Sequence, residues 1–276
     1  AGIFADSVLY MQVYLAGMIP MLFYNVGTGV LRAVGDSRRP LYFLAAASVL
    51  NILLDLLFVA ALGLGVLGAA LATLLSQAAS ALLVLHRLAG ACAEGQPYRL
   101  QKEGLRLDPL ALAAMARIGL PAALQAMLYD ISNILVQVYI NAFGTTAMAA
   151  WAVFGKLDSL FWMTVQSLGL AVTTFAGQNF GARRFERMRS GVRQACGIGF
   201  GFALGIVAFM LGLGGPLFGC FTADAEVVEL GLLMARFVMP WYLSFIGIEV
   251  LSATMRGAGD TLVPTLITVF GVCAVR

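Results

Sequence analysis

An all-α membrane protein that crosses the bilayer many times, in two six-helix lobes related by a parallel repeat, is the fold class this sequence predicts. Three observations predict it. Of 276 residues, 61% are hydrophobic and only 11% are charged, against about 25% charged in an ordinary soluble domain, and the mean hydropathy is +0.92. Apolar runs recur along the whole chain, several of them reaching the about 20 helical residues that cross a ~30 Å hydrocarbon layer. The third observation is a loop written twice. Arg32-Ala33-Val34-Gly35-Asp36-Ser37-Arg38-Arg39-Pro40 returns as Arg256-Gly257-Ala258-Gly259-Asp260-Thr261-Leu262-Val263-Pro264, with arginine, glycine, aspartate, hydroxyl residue and proline at a constant offset of 224 (Arg32 to Arg256).

The runs fall at about 8–31, 41–62, 66–88, 110–142, 147–175, 195–218, 229–255 and 262–275. The first seven are long enough to span, and the eighth stops after about a dozen residues, too few to cross. Run one contains Pro20 and ends in the first copy of the loop, whose order suits one helix stopping and another starting: Gly past the last turn, Asp or Ser/Thr as cap, Pro opening the second helix. Run two carries Asn51 and Asp55 one turn apart. Such a pair either hydrogen-bonds to a neighbouring helix, the commoner use, or binds an ion. Run three ends at His86, the single histidine, beside Arg87, where an interfacial residue fits better than a proton carrier. The polar link at 89–108, with Gly90, Gly95, Pro97 and Gly104, reads as the joint between lobes. Run four sets Asp130, Asn133, Gln137 and Asn141 at helical spacing, one polar stripe on an otherwise apolar helix. Run five adds Lys156 and Asp158 between Trp151 and Trp162, and ends at Gln178, Asn179 and Gly181. On run six, Gly197, Gly201 and Gly205 form a small-residue stripe that lets another helix approach closely. Run seven contains Pro240 and Glu249 and ends at Arg256; Glu249 is near enough to the helix end to reach Arg256 or the interface. Pro20 and Pro240 each free a backbone carbonyl and can bend their helices.

The cations fix an orientation. Lys and Arg collect in the links after runs one, three, five and seven (Arg32, Arg38, Arg39; Arg87, Arg99, Lys102, Arg106, Arg117; Arg183, Arg184, Arg187, Arg189, Arg193; Arg256) and are missing from the links after runs two, four and six. That sets 14 of the 17 on one side, which the positive-inside rule makes cytoplasmic. The two signature loops lie six helices apart, so the chain returns to the same side and the repeat runs parallel about an axis along the membrane normal. Residues 1–88 then form the second half of one lobe (three helices), 89–108 a cytoplasmic linker, and 109–276 the other lobe (four helices and the start of a fifth). The count predicts a fragment cut at both ends, and no targeting signal can be read from its first residues.

Other classes find little to stand on. A net charge of +3 is too small to suggest nucleic acid. Cys92, Cys196, Cys220 and Cys273 are scattered, with no C-x-x-C pair to indicate a zinc site or disulfide framework. No Ser/His/Asp or Cys/His constellation supports an enzyme, and no ligand cluster suits a metal. The glycines and arginines of FAGQNFGARRFERM at 175–188 lack the G-K-[ST] and preceding strand of a phosphate loop; they end a helix, and the arginines hold the loop to the anionic inner leaflet.

At this point the residues resemble a known family, the multidrug and toxic compound extrusion (MATE) transporters. The resemblance is carried by LRAVGDSRRP and MRGAGDTLVP, by NILLDLLFVAALGLGVLGAALATLLSQ at 51–77, by IGLPAALQ at 118–125 and by FAGQNFGARRFERM, in the family's order and over essentially the whole chain. It implies twelve helices in two lobes, of which this chain is similar to the fourth through the tenth and the start of the eleventh. Arg32, Gly35, Asp36, Pro40, Gln178, Asn179, Gly181, Arg256, Gly259, Asp260 and Pro264 are its signature positions. It also implies exchange of Na⁺ or H⁺ for bulky, often cationic, organic compounds across the cell membrane. No cofactor is expected beyond that coupling ion, and a monomer in lipid is expected, with no nucleic-acid partner.

For coupling, the candidates are Asp130, Lys156 and Asp158; for the substrate cavity, Asn133, Gln137, Asn141 and Trp162. At ~1.5 Å per residue, Asp130 and Asp158 lie about 16–18 Å below the outer ends of their helices, at a shared level near mid-membrane. Two carboxylates there repel and a lysine favours their charged forms, whether the cluster serves an ion or only fixes helix packing. A lipid-linked oligosaccharide flippase of similar fold is expected to line its cavity with cations, and here only Lys156 and Arg236 lie within spanning runs. A non-transporting scaffold stays open, and a major-facilitator-type carrier would place its Gly-Asp-Arg loop after the second helix of a half. The charge pattern predicts that an impermeant maleimide on intact cells labels Cys220 and spares Cys92 and Cys196 in single-cysteine variants; the reverse pattern overturns the topology.

Overall fold

The computed structural model describes residues 2–90, 98–100, 106 and 108–271. Most of the linker expected at 89–108 lies outside the described residues, as do Cys92, Lys102, Cys273 and the eighth run beyond Gly271. Everything described is helix or short turn. Among the described residues, seven helical segments are long and apolar enough to cross a membrane. The chain divides into two compact units, residues 1–107 and 108–276.

The first unit holds α1 (Gly2–Ala33), α2 (Arg38–Asp55) running on into a π-helical turn (Leu56–Ala61), and α3 (Gly65–Ala89). Helix α3 packs against both of the others, which barely touch each other. Glycines let it approach α1: a Cβ at Gly27 would run into Val84, and one at Gly17 would sit 2.8 Å from Gln77 Oε1. Leu31, Val84 and Leu88 are buried beside that contact, with Tyr24, Phe43 and Tyr98 packed around them.

The second unit is organised on α5 (Thr145–Gly181). Its buried residues, Ala147, Ala150, Phe154, Leu157, Phe161, Val165, Gly169, Val172, Ala176 and Asn179, step by three or four along the whole helix, which is one face of an α-helix. Around it stand α4 (Pro109–Ala142), α6 (Phe185–Gly212), a short α7 (Gly214–Gly219), α8 (Ala225–Val238), a 3₁₀ turn (Met239–Trp241), α9 (Tyr242–Gly257) and α10 (Leu262–Phe270). Helices α6, α8 and α9 close on the buried face of α5. Phe154 and Phe161 of α5 meet Val207 and Met210 of α6, Phe218, and Tyr242, Ile246 and Val250 of α9. Helix α4 buries none of its residues and touches the unit through α5 and α10. Gln125 ties it to α10, with Nε2 donating to Thr268 Oγ1 at 3.1 Å.

The repeated loop is a repeated backbone device. At the end of α1, Gly35 takes φ +90° while its N–H donates to Arg32 O and the Asp36 N–H to Leu31 O, both at 2.9 Å. At the end of α9, Gly259 takes φ +91°, with Gly259 N–H on Arg256 O at 3.1 Å and Asp260 N–H on Met255 O at 3.0 Å. This Schellman closure satisfies carbonyls the helix end would leave bare, and needs the left-handed residue that Gly supplies without strain. The aspartate then starts the next helix: Asp36 Oδ1 accepts from Arg39 N at 3.2 Å and Asp260 Oδ1 from Val263 N at 3.3 Å. Ser37 and Thr261, the alternative caps, make no capping bond.

Four expectations need correction. Helix α6 begins ten residues before the apolar run at 195, so Arg187, Arg189 and Arg193 ride on helix rather than loop. Hydropathy marks where a helix is dry, not where its hydrogen bonds start. Pro20 leaves α1 continuous while Pro240 breaks the seventh run into α8, a 3₁₀ turn and α9, so the paired prolines are not equivalent. The Gly197–Gly201–Gly205 stripe meets no atom within 4 Å; the residues of α6 that pack inward are Gly199, Ala203, Val207 and Met210. Asn51, expected to bond to a neighbouring helix, instead has its Nδ2 buried without a partner among the described residues.

Helices α5 and α9 meet backbone to backbone, where a Cβ at Gly257 would stand 2.5 Å from Thr173 O and 3.0 Å from Gly177 N. Backbone cannot yield there. Gly257→Val in the full-length protein should therefore lower stability by about 1–3 kcal/mol through overpacking, read as an earlier thermal unfolding in detergent. Gly201→Ala, with open space around it, should not lower it.

Candidate functional site

One cavity of about 810 Å³ opens inside the second unit. Each wall has a reason to be there. Helix α4 contributes Gln125, Tyr129, Asp130, Asn133 and Gln137, so the polar stripe read in the sequence faces the cavity. Helix α5 contributes Trp151, Phe154, Asp158, Trp162 and Gln166, and α9 adds Tyr242, Phe245, Glu249 and Ser252. On α9 those residues step by three or four, the face that Tyr242 turns toward α5.

Asp158 is held from two sides. Trp162 Nε1, one turn on, donates to Oδ2 at 2.9 Å, and Tyr242 Oη donates to Oδ1 at 2.6 Å across to α9. The Tyr242 ring also stacks on Phe161, centroids 4.3 Å apart and 14° from parallel. Trp162 stands edge-on to Phe245 at 4.9 Å. The result is an aromatic wall with a carboxylate set into it.

Asp130 and Asp158 line the same cavity, as their depths along α4 and α5 predict. Lys156 does not join them. It is exposed, lies outside the cavity lining, and makes no ion pair with either acid among the described residues. Two positions apart on a helix point about 200° apart, so a residue and its second neighbour never share a face. Asn141 is also outside the lining; in the last turn of α4 its Oδ1 accepts from Gln137 Nε2 at 2.8 Å. His86 is exposed on the last turn of α3, as an interfacial residue would be.

Glu249 is more central than its closeness to a helix end suggests. It is the third acid of the cavity, and Arg256 Nη2 donates to its Oε1 at 2.5 Å, with side-chain exposures of only 23% for Arg256 and 20% for Glu249. Room for its carboxylate comes from Gly169 of α5, where any Cβ would collide with Glu249 Oε1. An acid two turns before the arginine that ends its helix is the signal the sequence offered. Nothing in the sequence pairs it with Gly169.

Among the described residues no three His, Cys, Asp or Glu side chains converge tightly enough to hold a metal ion. An ion taken up here would find amides in Gln125, Asn133, Gln137 and Gln166 and hydroxyls in Tyr242, Ser252 and Thr268 beside the acids. A cavity with acids and aromatic faces suits an organic cation by charge and by the π face.

A family model described as MatE matches residues 2–57 and 121–276, well over half of the chain. The chain belongs to the MATE family. It is 31% identical over 276 residues to the probable multidrug resistance protein YoeA of Bacillus subtilis, covering 98% of this chain and 59% of that protein. It is 28% identical over 259 residues to the probable multidrug resistance protein YpnP of the same organism, covering 92% of this chain and 56% of that protein. Among solved structures, a multidrug resistance MATE family transporter in an outward-facing conformation superposes with TM-score 0.87 at 27% identity, over 97% of this chain and 59% of that one. The MATE chain therefore spans less than two thirds of the proteins it matches. Members of the family are transporters and not enzymes.

The half-buried ion pair sets an expectation for this MATE chain. Arg256→Ala leaves Glu249 without its charge partner and should lower stability by about 1–3 kcal/mol, the cost of an unsatisfied buried group. Pairing it with Glu249→Gln should recover most of that loss in thermal unfolding of the purified protein.

Proposed function

We propose that the full-length protein is an antiporter that exports bulky organic, often cationic, compounds across the cell membrane in exchange for Na⁺ or H⁺. The observation that carries this reading is the shared cavity: Asp130, Asp158 and Glu249 line one space with the aromatic wall of Trp151, Phe154, Trp162, Tyr242 and Phe245. A cationic substrate and a small cation need the same acids, so occupancy by one lowers affinity for the other. That competition, combined with two conformations that expose the acids to opposite sides, is sufficient for exchange. The volume of about 810 Å³ falls within the roughly 300–1,000 Å³ of small-molecule sites. Relatives named as multidrug resistance proteins support the same direction.

An oligosaccharide-lipid flippase is less well supported, because Lys156 and Arg236 both lie outside the cavity lining while three acids lie in it. We read the two units as the second half of one lobe and most of the other, in a protein that works as a monomer in lipid. A second ion-responsive point is proposed at Asp55. It ends α2 where the π-helical turn begins, one turn after the unpartnered Asn51 amide, and π turns inside α-helices are frequent at functional sites.

The test is ethidium efflux by the full-length protein in cells under an imposed Na⁺ or H⁺ gradient. Asp130→Asn should abolish gradient-driven efflux with expression and insertion unchanged. Lys156→Ala, being outside the cavity, should leave the pH dependence as it is. Normal ion-driven efflux by Asp130→Asn would sink the assignment of that acid.

A further inference from the structure

The geometry points to Tyr242 as a positioning residue, a latch whose hydrogen bond to Asp158 sets the angle of the broken helix α8–α9 and releases it when Asp158 takes up a proton or cation. The proposal rests on the coupling reading above and adds the part that turns ion uptake into a change of cavity shape.

The break comes first. Pro240 has no N–H, so the carbonyl four residues back, on Arg236, has no helical partner there; the chain answers with a 3₁₀ turn at Met239–Trp241 before α9 begins at Tyr242. Met239 N–H still reaches Ala235 O and Tyr242 N–H reaches Met239 O, but with the bond to Arg236 O missing the backbone holds the angle between α8 and α9 less firmly than in an uninterrupted α-helix. The first residue past the break is the one that is tied down. Tyr242 donates to Asp158 Oδ1 at 2.6 Å, and its ring stacks on Phe161, both on α5.

A bond from a neutral donor to a carboxylate is charge-assisted and about twice as strong as one between neutral groups. A proton on Asp158, or a cation drawing on its lone pairs, removes that advantage. The ring stack stays, but a stack resists rotation of a helix less sharply than a directional hydrogen bond. Helix α9 is then free to pivot at Pro240 and to carry Phe245, Glu249 and Ser252, its cavity-facing residues, with it. Trp162 Nε1 remains on Oδ2 and keeps Asp158 from following.

The groups that share Asp158's surroundings are countable from the lining. Helix α4 brings Asp130 and Tyr129, α9 brings Tyr242 and Glu249 with Glu249 held by Arg256, and α8 and α10 bring only Val238 and Thr268. Neither Asp130 nor Asp158 is neutralised by an ion pair among the described residues. An ion arriving at Asp130 therefore reaches Asp158 as the other unneutralised acid on the cavity wall.

The bend can be read directly. Phe237 on α8 and Leu251 on α9 are 71% and 55% exposed and lie on either side of the break, about 21 Å apart along the helix at ~1.5 Å per residue. Spin labels at Phe237→Cys and Leu251→Cys, in the full-length protein with its other cysteines replaced and reconstituted in liposomes, report that distance by pulsed electron resonance. The unmodified latch should give one distribution at high pH without Na⁺ and a shifted one on acidification or Na⁺ addition. Tyr242→Phe keeps the ring and loses the hydroxyl, so it should show the shifted distribution under both conditions, and Asp158→Asn should match it from the other end of the bond. A Tyr242→Phe protein whose distribution and ion response equal the starting protein's overturns the proposal; if Tyr242→Phe does not fold, Asp158→Asn decides in the same way. A latch that shifts in a protein showing no ion-driven ethidium efflux would leave the latch standing and remove the coupling reading instead.

Discussion

Hydrocarbon offers no water to a peptide group, so a chain crossing it must satisfy every N–H and C=O from within. That constraint accounts for more of this molecule than any side chain does. It makes the described residues helix and short turn. It also makes departures conspicuous. Two occur within spanning segments, the π-helical turn after Asp55 and the 3₁₀ turn at Pro240. Each sits beside a carboxylate, one by sequence and one through Tyr242.

Packing in the second unit follows from a different economy. Lipid is as apolar as leucine, so helices gain nothing by hiding apolar surface from it and associate through close fit. The buried row of α5 mixes small residues with aromatics, and α9 meets it at Gly257 and Gly177 with backbone against backbone. Acids of the cavity wall are met by polar side chains: Glu249 by Arg256 behind it, Asp158 by Tyr242 and Trp162. Exposed leucines, phenylalanines and isoleucines on the outer faces, such as Phe237 and Leu251, are what a lipid-facing surface looks like.

Much of this was legible beforehand, and the reasons differ from element to element. Helix number and family came from apolar length and from ordered motifs, both of which survive without three-dimensional knowledge. The loop at Gly35 and Gly259 was legible because a left-handed residue followed by a capping aspartate is written locally. The Asp130 stripe was legible because helical spacing alone puts four polar residues on one side. Lys156 was misread although the information was there, since two residues apart means opposite faces. Glu249 was underrated for a better reason: its niche is the missing side chain of Gly169, 80 positions earlier in a separate helix. Pro20 and Pro240 look alike on paper, yet only Pro240 brings a change of helix type.

The paired loops differ in one respect that reaches beyond their role as stoppers. Backbone bonds, glycine angle and capping aspartate agree at every matching position, but the charged partners do not: Arg39 pairs with Asp36 where Val263 has no charge, and Arg32 bonds to Thr28 where Arg256 holds Glu249. Requirements that only one or two residue types can meet recur in both copies, while partnerships that many residues can meet differ between them. Recurrence within this chain therefore measures how few substitutes a position tolerates, and it draws the eye to places where the main chain turns. On α9 the cavity-facing Tyr242, Phe245 and Glu249 stand where the first copy, at the same offset, has Met18, Met21 and Asn25, so the two copies part company where the side chains meet the cavity.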